Sequence, residues 1–427
     1  AKVHSSISNK KIMKQIIKNL QIGDNDLIGN KFNGHDLHLY LREKGIDSYH
    51  LVWNKESNDE NTFVIAANKI NRFELRNFEA TIQKEYCLNG VMGFSAYEIL
   101  YNKTFLESDI IHYHLIHNLN FDIQLLPILS RLKPTVWTLH DPWAISGHCV
   151  HHFYCEGWKN GCGDCPLLGT HFPIDKDNTA LNYEIKKIAI QNSKLDIIVA
   201  SKWIEKKVRL SPIFKNAHIH LIPFGIDQNI FKPLDKKEIR KKLNIPLDAI
   251  VITARCAYSE FKGFDFVEYA LDKLKTDKEV YLLLLSDKLR NKNKHYKVIE
   301  YGWVKDDFLL NEIYNSSDLF LMPSIVDTFG MMAIEAMSCG ILPIVLDGTA
   351  LPEVVNSQNC GVSVKQDKLE YAKTVQYYID NINERSERAR NCLEFAKKEY
   401  SKEVYIQRII KVYKESISKH ILDDSAK

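Results

Sequence analysis

The chain has 427 residues, 45% hydrophobic and 26% charged, with a formal net charge of +3 and a pI of about 8.2. That length exceeds what one hydrophobic core usually serves, so two domains are expected. The near-balanced charge, with lysines spread along the chain, argues against a nucleic-acid binder, and no apolar run approaches the ~18 residues that span a bilayer.

The amino-terminal stretch KVHSSISNKKIMKQIIKNL lacks the sustained apolar core of a signal peptide, which makes the cytoplasm the default expectation. Its basic part, NKKIMKQIIKNL, reads equally well as a core-facing amphipathic helix or as a peripheral membrane contact at the inner face. In IGDNDLIGNKFNGHDLHLYL, Gly29 and Gly34 are either turn glycines or points where the backbone comes close to a ligand. HDLHLYLREKGI then has a helical pattern ended by Gly45, DSYHLVW a strand pattern, and FSAYEILYNKTFLESD leads into the strand IIHYHLI. LNFDIQLLPILSRLKP is a helix stopped by Pro134, and TVWTLH is the strand after it. Strand-helix-strand repetition predicts a parallel sheet with both faces covered.

Thr138-Leu139-His140-Asp141 closes that strand, at the end where doubly wound sheets bind ligands. Directly after it, HDPWAISGHCVHHFYCEGWKNGCGDCPLLG holds Cys149, Cys155, Cys162 and Cys165, four of the nine cysteines within 17 positions. Cys162 and Cys165 have the C-x2-C spacing of a zinc knuckle, and a chain without a secretion signal disfavours disulfides. A structural zinc held by the four cysteines is the leading reading, with His148, His151 and His152 as alternative ligands. Reduced thiols, disulfides and an iron-sulfur cluster are the other readings of this spacing.

A domain boundary is expected where prolines and glycines gather between Pro223 and Pro233, after the strand HIHLIP and before the helix DKKEIRKKL. The α/β rhythm then repeats: strand AIVITAR, helix FDFVEYALDKLK, strand VYLLLLS. DLFLMPSIV reads as a buried strand, MMAIEAM as a helix with Gly340 as C-cap, and ILPIVL as the next strand. Between the first of these strands and the helix lies Asp327, eight positions before Glu335, so one carboxylate sits in a loop and the other two turns into the helix. That helix N-terminus suits a phosphorylated or polyhydroxylated ligand. From about residue 385 the chain is helical and charged through KHIL.

The run DTFGMMAIEAMSCG resembles the E-x7-E motif of retaining, nucleotide-sugar-dependent glycosyltransferases of the GT-B fold, the glycogen-synthase-like and mannosyltransferase-like group. IPFGIDQNIFKP, ITARCAYSEFKGFD and YGWVKDDFLLNEIYNSSDLFLMPS resemble, in order, that family's interdomain segment, its Arg...Lys-Gly phosphate clamp and its approach to the acid pair. The resemblance implies an α/β GT-B fold: two Rossmann-like domains facing each other across a cleft. The acceptor domain would cover 1–225, with the last helix, about 398–427, packing back on it; the nucleotide-sugar domain would cover 226–397.

It further implies a donor that is a UDP- or GDP-sugar, and an acceptor that is a glycan or a lipid-linked glycan of the bacterial surface-polysaccharide type. Arg255 and Lys262 fall on the two phosphates, Glu335 on the ribose hydroxyls, and Val304 on the base. Asp327 falls on the transferred sugar, where Phe329, Gly330 and Met331 offer main-chain N–H groups. His140 meets a sugar hydroxyl near the anomeric carbon, and Gly34 approaches the substrates. The family's front-face displacement needs neither a covalent nucleophile nor a metal, so any zinc at the cysteines would be structural. Two departures stand out: Asp327 is one methylene shorter than the family's glutamate, and the amino-terminal Gly-Gly loop is replaced. An epimerase of the same fold and a catalytically inactive sugar-nucleotide-binding scaffold are the competing readings.

Overall fold

The computed structural model describes residues 17–65, 69–88, 90–117, 121–170, 173–259, 261–289 and 294–425. Contacts divide the chain into two compact units. The first runs up to Val199 and adds Glu205–Leu221 and the residues from Ile406 on; the second is Ala200–Ile204 with Ile222–Tyr405. Residues 9–16 of the basic amino-terminal run, with the membrane contact considered for it, lie outside the described residues.

The first unit is built on a seven-stranded parallel sheet: β1 (Lys18–Asn25), β2 (Asp47–Asn54), β3 (Thr62–Val64), β4 (Ile110–Tyr113), β5 (Thr135–Leu139), β6 (Asp196–Val199) and β7 (His218–Leu221). Its order is β3-β2-β1-β4-β5-β6-β7. β4, β5 and β6 are buried along their whole length, as strands covered on both faces must be. Helix His35–Glu43 ends as anticipated at Gly45, whose φ of 75° and N–H bond to Arg42 O close the last turn.

The second unit repeats the plan with β8 (Ile250–Cys256), β9 (Val280–Ser286), β10 (Lys297–Glu300), β11 (Leu319–Met322), β12 (Leu342–Leu346) and β13 (Val362–Val364), in the order β10-β9-β8-β11-β12-β13. In both sheets the chain starts in the middle, works outward to one edge, and then returns to the other side of the starting strand. The loops leaving the carboxyl ends of β1 and β4, and of β8 and β11, therefore diverge around a crevice, the usual ligand position in doubly wound sheets.

The charged carboxyl-terminal stretch forms two helices, Ile382–Glu399 and Lys402–Ser425. Between them Ser401 pairs as a β-bridge with Ile226, the Ile226 N–H donates to Tyr400 O, and the Lys402 N–H to Ile226 O. These main-chain bonds compete with the helical pattern and interrupt it. Gly225 permits the approach, since a Cβ there would lie 2.5 Å from Tyr405 Cβ. Among the described residues, no helix is long and apolar enough to cross a membrane.

Candidate functional site

In the first unit, the carboxyl ends of β1, β4 and β5 carry a buried polar network. His140 follows β5, and its Nε2 lies 3.3 Å from Nδ1 of His114, which follows β4. Nε2 of His114 meets Gln21 Oε1 at 2.7 Å, and the Gln21 amide donates to Tyr413 Oη at 2.8 Å. His112 links Tyr413 Oη and Thr138 Oγ1, each at 2.7 Å. Burial pulls His112 and His140 down to about 3 and His114 well below its ordinary value, so all three imidazoles are neutral near pH 7. Neutral imidazoles can both donate to and accept from sugar hydroxyls.

Gly34 comes to the same place from the loop after β1. With φ of 85°, a Cβ on it would sit 2.4 Å from His114 Cδ2, so only glycine fits against this ring. Phe32, from the same loop, meets His140 edge-on at 5.5 Å between centroids. Asp141 caps the turn Pro142–Ile145 by accepting from Trp143 N–H at 2.8 Å, and its carboxylate lies 3.3 Å from His117 Nε2.

In the second unit, Arg255 lies at the carboxyl end of β8 and Asp327 follows β11, on the two sides of the switch point. Lys262 Nζ lies 3.5 Å from Asp327 Oδ2. The two loops are locked together: Ile325 N–H donates to Phe261 O at 2.9 Å, and a Cβ on Gly263 would lie 2.1 Å from Pro323 O. Arg255 Nη1 is buried with no hydrogen-bond partner among the described residues, and the Ser259 and Ser324 hydroxyls are in the same condition. These three buried polar groups, one at the end of β8 and two on the adjoining loops, are ones that a bound ligand or ordered water would satisfy. The guanidinium also lies 5.6 Å from the ring centroid of Trp303, which is 70% exposed. Val304, next to it, is half-buried after the turn at Gly302.

Glu335 lies inside helix Met331–Ser338, 2% exposed, and accepts from Tyr314 Oη at 3.1 Å. Asp327 accepts from Phe329 N–H at 3.3 Å. The Phe329 side chain is buried against Phe224 and Tyr400, and Met331 is buried too. Gly330 is the N-cap with φ of 97°, and a Cβ there would lie 2.3 Å from Leu351 Cδ2. No side chain caps this helix, which leaves its first N–H groups to another partner.

The second unit thus gathers Arg255 at the end of β8 with Lys262, Asp327 and the Gly330 helix start on adjoining loops, and buries Glu335 against Tyr314. The first gathers His140 with Gly34. Reading the chain did not single out His112, His114, Gln21, Tyr413, Tyr314 or Trp303. The i, i+2 spacing of His112 and His114 at the end of the strand IIHYHLI was the available signal, because it puts both rings on one face.

Cys149, Cys155, Cys162 and Cys165 line a single cavity of about 20 Å³ with His148, and His148 Nε2 is 3.6 Å from Cys165 Sγ. His152, buried, also lines it. No three of the four sulfurs lie within 4.8 Å of one another. Among the described residues, the group with ligand atoms all within 4.8 Å of one another is Asp196, His218 and His220. Both imidazoles there already meet Asp196 Oδ1, at 2.8 and 3.0 Å, at the opening of β6 and along β7. Burial raises the Asp196 pKa, but bonds from His220, His218 and Ser416 outweigh it and hold the carboxyl at about 2.

Residues 235–399 match the family model of glycosyl transferases group 1. WcaC of Escherichia coli K12, a putative colanic acid biosynthesis glycosyl transferase, is 24% identical over 281 residues, 61% of this chain and 65% of WcaC. The chain therefore spans less than two thirds of that relative's length. Among solved structures, sucrose-phosphate synthase from Thermosynechococcus elongatus matches with a TM-score of 0.65 at 18% identity, over 95% of this chain and 100% of that one. HepE from Anabaena in complex with UDP-glucose matches with a TM-score of 0.60 at 15% identity, over 93% and 99% of the two chains. The fold is GT-B, two Rossmann-like α/β domains.

Proposed function

We propose that the protein is a retaining glycosyltransferase that moves a hexose or an N-acetylhexosamine from a nucleotide diphosphate sugar to a glycan or lipid-linked acceptor. The observation that carries this reading is the orphaned Arg255 guanidinium together with Lys262, both within electrostatic reach of Asp327 at the switch point of a domain that matches the group 1 family model. A diphosphate leaving group gains charge as the glycosidic bond breaks, and two cations, one at the end of β8 and one on the loop after it, can neutralise that charge. The Lys262–Asp327 pair is partly exposed and 3.5 Å apart, a contact worth at most about 1 kcal/mol, so a diphosphate can draw the ammonium away.

In this reading Glu335 accepts the ribose hydroxyls, and Val304 meets the base through its main chain. Asp327 and the N–H groups at Phe329, Gly330 and Met331 hold hydroxyls of the transferred sugar. His140 bonds a sugar hydroxyl, in a neutral form suited to that task. The departing phosphate deprotonates the acceptor on the same face, which conserves the anomeric configuration and requires no metal. HepE was solved with UDP-glucose, which makes UDP-sugars the first donors to test. The experiment is release of nucleoside diphosphate from a panel of UDP- and GDP-sugars in the presence of lipid-linked and soluble glycan acceptors, with the product anomer read by NMR. Turnover with an α-linked product from an α-linked donor supports the proposal; turnover with inversion, or none with any donor, overturns it.

A further inference from the structure

Between Leu139 and Thr179 the described residues form only two short 3-10 turns, Pro142–Ile145 and Gly157–Lys159, an unusual length for a loop without regular structure. Its backbone is also costly. Phe153, Cys162 and Asp164 all have positive φ, 47°, 57° and 47°, in a region that non-glycine residues avoid. Such a segment needs a staple, and its core is the cavity lined by the four cysteines.

Three of the four sulfurs accept main-chain N–H bonds. Gly157 N–H donates to Cys155 Sγ and Leu167 N–H to Cys165 Sγ, each at 3.4 Å and each two residues along the chain. Gly147 N–H donates to Cys162 Sγ at 3.2 Å. A neutral thiol is a poor acceptor, whereas a thiolate is a strong one, so this pattern is what ligating sulfurs require. The second observation is Lys186. It is fully buried, and its ammonium donates to Trp143 O and Ser146 O, each at 2.8 Å, and lies 3.6 Å from the Trp143 ring centroid. Among the described residues no carboxylate is within ion-pair distance of it. Burial pulls this amine down to about 7, and a counter-charge nearby would keep it a cation.

We infer that Cys149, Cys155, Cys162 and Cys165 bind one zinc ion as a closed tetrathiolate centre, and that Lys186 is its buried counter-cation. On binding, the four thiols release their protons to water, four Zn–S bonds form, and the dication with four thiolates leaves a centre of net charge −2, half of which Lys186 offsets. A closed shell of sulfurs has no position for substrate, so the metal is structural. Its task is to hold the loop that begins at Asp141, immediately after His140. Lys186 fastens the same loop from helix Thr179–Gln191.

The test is elemental analysis of the full chain purified without chelators, followed by X-ray absorption at the zinc edge. Stoichiometric zinc with a sulfur-only shell is expected; a shell containing nitrogen would transfer a ligand position to His148 and overturn the four-cysteine assignment. Protein that holds no zinc, takes none up after reduction, and titrates four free thiols or shows disulfides by mass spectrometry refutes the site. Lys186→Met should weaken zinc retention against a competing chelator by at least about tenfold. Unchanged retention in folded Lys186→Met protein removes the counter-cation. None of these readouts depends on glycosyl transfer, so a failed donor screen and a failed metal site remain distinguishable.

Discussion

At the scale of single residues, the strongest test lies at Glu335. Its carboxylate is buried and already holds Tyr314 Oη, so truncation would confound a lost ligand contact with an orphaned hydroxyl. Glu335→Gln keeps the volume and an acceptor for Tyr314 but removes the charge. A charge-assisted bond to ribose hydroxyls contributes about 1.5 to 3 kcal/mol, so activity should fall at least about tenfold with the melting temperature nearly unchanged. Near-normal donor affinity would refute the ribose assignment. For Arg255 and Lys262 the expected outcome differs. If they act on charge that builds in the transition state, the double change to Ala should lower the single-turnover rate more than it weakens binding of the nucleoside diphosphate. Lys262→Arg is not a safe substitute, because a planar guanidinium and a compact ammonium meet phosphate differently. Unchanged rate and affinity in the double variant would make the pair a surface feature.

Two elements control the histidine network in the first unit. Gly34→Ala would put a methyl group 2.4 Å from His114 Cδ2 in a left-handed backbone conformation, so the loop or the ring must move. A cost of about 1 to 3 kcal/mol is expected in urea denaturation, together with lost activity, because His114 contacts His140. Full stability and activity in that variant would show that the loop tolerates the shift. The other element is helix Lys402–Ser425, which delivers Tyr413 to His112 and Gln21. Tyr413→Phe strips a partner from two buried polar groups, and denaturant unfolding should register a loss of about 1 to 3 kcal/mol. The contribution of this helix could not be read beforehand. Its charged pattern marks a helix, but a tyrosine more than 290 positions from His112 carries no sign of its partner.

At the scale of the whole molecule, the buried imidazoles set the acid limit of stability. Burial lowers His50, His112 and His140 to about 3 and His38 to about 4. The unfolded chain takes up these protons near the ordinary value of about 6.5, so it binds more protons than the folded chain below that pH. Stability is therefore full above about pH 6.5 and falls as the pH drops from there toward 4. Melting temperature measured across pH 7.5 to 4.5 should decline from the histidine range downward, before carboxylates begin to titrate. A flat profile between pH 7 and 5.5 would contradict the buried, neutral state of these rings.

Strand patterns, glycine and proline punctuation, and the ordered motifs were legible because they are local: IIHYHLI and DLFLMP carry their own burial, and Gly45 ends its helix through its own φ. So was the clustering of the cysteines. Strand β1 was not legible, because Asn19 and Gln21 break its apolar pattern, and both are explained only by partners elsewhere, Asp47 O for Asn19 and Tyr413 for Gln21. Nor was the interruption at Ser401, since the competing bonds come from Ile226, 175 positions away. Residue types that can do a given chemistry are written in local sequence, as with Arg255, Lys262, His140 and Asp327. Which of them meet, and which unread groups such as His114 and Tyr314 stand beside them, depends on contacts between segments far apart in the chain. Those contacts form only when the sheets assemble, because burial and hydrogen bonding reward proximity in space and not in sequence.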